Sequence, residues 1–165
     1  MSLTDEIRLK EVKRNAKYRP VIDYLWVRGV GPREGKVFTD IKDIVVFAAM
    51  VGKRFERRES LEKNPDGITL LTFGGAGSGA KDNRVDQHNI IFMLSVLNKK
   101  NMECLRDESI EETIREFEEY ANGGLSIIEG WLEASAWNPL CILDEMVTLA
   151  KQDATLGLDV PVNPF

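Results

Sequence analysis

Lysine and arginine fall into two runs that could meet a phosphate backbone. Lys10, Lys13, Arg14 and Lys17 share one face of a helix read over residues 4–17, with Arg19 just beyond. Lys53, Arg54, Arg57 and Arg58 follow a long apolar segment. Cations of this kind neutralise phosphates and release counterions, so they position nucleic acid without reading its sequence. Lys10, Lys13, Arg14, Lys17, Arg54, Arg57 and Arg58 are therefore the candidate DNA-phosphate contacts. No helix-turn-helix, zinc finger or aromatic-interleaved RNA motif accompanies them. Carboxylates make the opposite pattern in residues 107–121. Glu111, Glu112, Glu116, Glu118 and Glu119 read as the solvent face of one helix. Glu111, Glu112, Glu116 and Glu119 form a candidate acidic docking surface for a basic partner or a second subunit. A plain solvated face is the simpler reading of each run taken alone.

Other reactive residue types carry less. Gly75 to Ala80 matches GxGxxA after an apolar run. A dinucleotide loop opens directly into a helix and is followed by a second parallel strand. Here Asp82 and Asn83 intervene, and the segment after Leu97 is too polar for a buried strand. A phosphate loop fails as well, because Ala80 stands where the lysine belongs. His88 is the single histidine, and only Asp82 and Asp86 lie near it in sequence. Cys104 sits in a turn and Cys141 opens an apolar helix, with no local base for either. Ser78 lacks the GxSxG setting of a nucleophile elbow. The expectation is no catalytic set, no metal and no cofactor.

These residues need a scaffold. The chain has 165 residues, 43% apolar and 30% charged, which suits one domain with a real core. Residues 1–60 hold 14 basic and 9 acidic side chains, whereas residues 101–165 hold 3 and 14. The net charge of -5 hides this split. Pairing within the chain or between subunits explains it as readily as an outside partner. Two cysteines without a CxxC pair and a charged N-terminal stretch point to reduced thiols and a cytoplasmic location. No apolar run reaches the length of a membrane helix, so no membrane partner is expected.

The pattern predicts a mainly α fold, a compact helical domain with a small β-strand or hairpin element. Residues 1–35 read as a basic helical extension packed on the core, with helices over 4–17 and 20–27. Residues 36–152 read as one helical core domain, and 153–165 as a loosely attached tail. Asp40 to Val51 is nearly all apolar and predicts the central helix. Ile68 to Phe73 predicts a short strand. Further helices are expected over 85–97, 107–121, 125–135 and 138–151. Asn122-Gly123-Gly124 separates two of them as a stop signal. The apolar helix over 40–51 also makes a homodimer a candidate arrangement.

Three blocks together resemble a known family. They are Lys36 to Gly52 (KVFTDIKDIVVFAAMVG), Arg57-Arg58-Glu59-Ser60-Leu61, and Phe117 to Leu125 (FEEYANGGL). The chain resembles, over residues 36–130, the family numbered fourth among the proteins associated with bacterial Dnd systems, which place sulfur in the DNA backbone. The resemblance implies a setting rather than a chemistry. Such systems modify DNA and, in some loci, restrict DNA that lacks the mark. No catalytic residue set transfers to this chain. The expected function is a non-enzymatic accessory or regulatory protein of a phosphorothioate-modification or restriction system, touching DNA through the basic patches. A protein-only scaffold is the alternative, and a metal- or nucleotide-dependent enzyme ranks below it. The implied partners are protein subunits of that system.

Overall fold

In Glu11-Val12-Lys13-Arg14 the side chains alternate between solvent and interior, the period of a strand. This is β1 (Glu11–Arg14), in a computed structural model that describes residues 9–31, 33–74 and 87–157. It pairs antiparallel with β2 (Asp66–Thr69), setting Val12 opposite Ile68 and Arg14 opposite Asp66. The helix expected over 4–17 is therefore, from residue 9 onward, a strand followed by a 3-10 turn at Ala16–Tyr18. The spacing of Leu9, Val12 and Ala16 suits a helix, but pairing with β2 buries Val12 and wins.

Helix α1 (Arg19–Leu25) carries Pro20 in its first turn, as expected, and buries Val21, Ile22 and Leu25. Residues 26–31 and 33–40 return along it. Trp26 bridges to Phe38, and Lys36 Nζ donates to the carbonyls of Asp23 and Gly29. Helix α2 (Ile41–Arg54) buries Ile44, Val45, Ala48, Ala49 and Val51, and is the central helix the apolar run predicts. It passes through Gly52 and ends on Lys53 and Arg54, cations that suit a helix C-terminus.

The strand expected over 68–73 stops at Thr69. Leu70–Phe73 forms a single turn, α3, which carries both Leu70 and Phe73 into the core. The glycine loop, with its GxGxxA match, Ser78, Asp82 and Asp86, lies outside the described residues. Helix α4 (His88–Lys99) follows and closes on Lys100 in the left-handed region. Two 3-10 turns then lead into α5.

Helix α5 (Ile110–Ala134) is one continuous helix of 25 residues, not two. Asn122-Gly123-Gly124 does not stop it. A Cβ on Gly124 would lie 1.7 Å from the carbonyl oxygen of Ala48, and one on Gly52 would lie 2.0 Å from that of Tyr120. The glycines are there so that the backbones of α2 and α5 can touch. Around this seam the core divides between two sets of side chains. Val45, Ala49, Leu70, Phe73, Ile91 and Phe117 form one, and Val21, Leu25, Ile44, Leu125 and Ile128 the other. A turn with Ala136 and Trp137 in the left-handed region leads to α6 (Leu140–Gly157). The fold is mainly helical with one small two-stranded hairpin.

Candidate nucleic-acid interface

Lys10, Arg14, Lys17 and Arg19 of the first run pair with carboxylates of this same chain. Lys10 Nζ reaches Glu111 Oε1 at 2.7 Å. Lys17 Nζ lies 2.7 Å from both Glu59 and Glu62, which raise its pKa above the ordinary lysine value. Arg19 grips both oxygens of Asp66, at 2.5 and 2.7 Å. Arg14 is buried, 3.9 Å from Asp66, and burial lowers its pKa. Lys13 is half-buried, and its backbone N–H donates to Glu118 Oε1 at 2.7 Å. The side chains of Lys10, Lys17 and Arg19 and the backbone of Lys13 fasten β1 and the following turn to α5, β2 and the 59–62 segment.

The second run is more open. Arg54, Arg57 and Arg58 are exposed where α2 ends. Arg54 meets Asp153 at 2.6 Å, and Arg58 meets Glu119 at 2.6 Å. Arg57 donates to Ser126 Oγ at 3.2 Å, a neutral partner. Arg57 and Arg58 border a shallow depression with Phe55, Glu56 and Ile127. The guanidinium of Arg58 and the ammonium of Lys53 lie over the Tyr120 ring, at 5.2 and 5.3 Å from its centre. Exposed ion pairs like these contribute about 0–1 kcal/mol, so their cations exchange readily onto a phosphate.

The carboxylates do not form one open face. Glu111 and Glu112 are exposed and pair with Lys10 and Lys99. Glu119 is half-buried on Arg58. Glu116 and Glu118 are buried, contrary to the solvent face expected of them, because α5 is packed by α2, α4 and β1 together. Glu116 accepts from Asn98 Nδ2 at 2.7 Å. Burial pushes the Glu118 carboxyl up to about 7, against the hydrogen bond from Lys13 that lowers it.

A polar junction beneath the first run has no local signature in the sequence. Asn15 is buried and donates to Glu59 Oε1 at 2.9 Å and to the Ser60 carbonyl at 3.0 Å. Its own Oδ1 accepts from the Glu62 N–H at 2.7 Å, and its N–H donates to Asn122 Oδ1 at 2.8 Å. Tyr18 adds a 2.6 Å hydrogen bond to Glu59. Asn15 and Asn122 are 107 positions apart, so only the fold brings them together.

Among the described residues, no group of three or more His, Cys, Asp or Glu is placed to hold a metal ion. Cys104 is buried and Cys141 half-buried, both as free thiols. Among the described residues no helix is long and apolar enough to cross a membrane. A family model described as DNA sulphur modification system-associated protein 4 matches residues 30–158, most of the chain. No curated protein and no solved structure matches it.

Proposed function

The chain belongs to the DNA sulphur modification system-associated protein 4 family, and we propose that it serves there as a non-enzymatic accessory protein that touches DNA through the end of α2. The observation that carries this reading is Arg57. It stands exposed between Arg54 and Arg58 with a hydroxyl as its partner, while Lys10, Arg14, Lys17 and Arg19 of the first run pair with carboxylates. The three arginines fall within five consecutive residues, and Arg57 and Arg58 border one depression. That spacing suits neighbouring phosphates, which recognise charge and not sequence. Glu111 and Glu112 on the exposed start of α5 offer a separate acidic surface to protein subunits of the same system.

The test is a salt series of duplex DNA binding. The variant Arg54→Glu/Arg57→Glu/Arg58→Glu should lose retention and flatten the salt slope by about 3, near 0.9 for each phosphate no longer neutralised. Arg57→Glu alone breaks no ion pair among the described residues and should still weaken retention. Retention unchanged in both variants removes this edge as the DNA contact.

A protein-only scaffold is the second reading. The pairing of Lys10 with Glu111, Arg58 with Glu119 and Arg54 with Asp153 favours it, because the charge split is then consumed inside the molecule. It predicts no DNA retention by the intact protein and co-purification with modification subunits.

A further inference from the structure

Helices α2, α4 and α6 leave an apolar groove between them. Its cavity of about 440 Å³ is lined by Met50, Met93, Leu97 and Met146 among others, with Lys53 and Arg54 at the edge. Methionine is unbranched and polarizable, and suits a surface that must fit another apolar surface. Beside the groove, α6 carries a ridge. Leu143 lies one turn before Met146 and Val147, and Val147 one turn before Ala150, so the ridge continues the groove's own wall. Met50, Met93, Leu97, Leu143, Met146 and Val147 are each between 40% and 60% exposed. Together they leave on the order of 600 Å² of apolar side chain in water, the upper end for a monomer's largest patch.

We propose that this face is a homodimer interface in which the α6 ridge of each copy enters the α2–α4–α6 groove of the other. Ridge and groove adjoin on one face, the arrangement a two-fold axis requires. A foreign helix lying in the groove would leave Leu143 and Val147 in water, whereas a second copy covers both. Two copies bury on the order of 1,200 Å² of apolar surface in all, past the ~1,000 Å² that a specific interface needs. At the groove's edge Arg54 is paired with Asp153 at 2.6 Å and Lys53 with Glu56 at 2.7 Å, so what favours a second copy is the apolar area and the adjoining ridge. Arg57 and its depression lie outside the groove's lining and only Arg54 belongs to both surfaces, so Arg57→Glu tests the DNA reading without touching the dimer.

Sedimentation equilibrium of the whole chain across a micromolar dilution series tests this. The average mass should rise with concentration from 18.6 kDa towards twice that value. Met93→Glu in the groove and Leu143→Glu on the ridge should each raise the dissociation constant at least ~10-fold while unfolding stays cooperative. Val147→Glu replaces the ridge variant should Leu143→Glu fail to fold, and Leu97→Glu replaces the groove variant in the same way. A mass that stays at one chain throughout overturns the proposal. So does a dimer whose dissociation constant neither groove nor ridge variant moves. A strictly monomeric chain that takes up a modification subunit through the groove also overturns it, and gives the groove a different occupant.

Discussion

Glu118 accepts a hydrogen bond from the backbone of Lys13 while lying almost out of water. Its carboxyl titrates near 7 in the folded chain, against an ordinary value of 4.5. The folded state therefore holds this proton more tightly than the unfolded state. The stabilisation is fully present below about pH 4.5 and is lost as pH rises through 7. Glu118→Gln keeps an acceptor and removes the charge. It should stabilise the protein at pH 8 by roughly 1 kcal/mol after allowing for solvent screening, and make no difference near pH 4. Urea unfolding at both pH values checks this, and equal stability at pH 8 contradicts it. Asn15 is a second residue on which much depends, because it ties three partners in the 59–62 segment. Asn15→Ala leaves buried groups unpaired and should cost roughly 2–4 kcal/mol, read as a lower urea midpoint at unchanged slope.

At the scale of elements, the glycines of α2 and α5 decide the architecture. Gly124→Ala would place a methyl group against the Ala48 carbonyl, backbone that cannot turn aside. It should destabilise by at least about 3 kcal/mol, against the usual preference of a helix for alanine. In the same helix, a Cβ on Gly130 would meet nothing within 4 Å. Gly130→Ala should gain about 0.5–1 kcal/mol, and thermal melts of the two variants should move in opposite directions. The same glycines explain where reading by local pattern goes astray. Asn-Gly-Gly is a stop by propensity, and only the partner helix shows it to be a contact. Apolar periodicity does locate α2 and α4, although in α4 it does not give the buried face, since Met93 and Leu97 stay about half in water while Ile91 and Phe92 are buried. It fails at β1, where four residues satisfy both periods and the choice rests on β2, more than 50 positions away. The arginines at the end of α2 are visible as a cluster because they are close in sequence. The burial of Arg14, Glu116 and Glu118 is not, since it depends on what packs across α5 from distant segments.

Across the whole molecule, the basic first third and the acidic last third meet each other. Lys10 lies on Glu111, Arg58 on Glu119 and Arg54 on Asp153. Much of the uneven charge in the sequence thus closes the fold. The end of α2 keeps three exposed arginines, of which Arg57 has a neutral partner, on a chain of net charge -5. On a chain of net negative charge, binding at that edge should be modest and steep in salt. A dimer through the α6 ridge would leave Arg57 and Arg58 of each copy clear of the groove, raising retention on longer duplexes by linking the contacts.

Binding of the intact protein to matched phosphorothioated and ordinary duplexes across a salt series is the most direct measurement. The account predicts retention at low salt on both duplexes, falling with a log–log slope of about -3 per edge and abolished on reversing Arg54, Arg57 and Arg58. No retention on either duplex at low salt would contradict it, and would make the arginine edge part of a protein-binding surface instead.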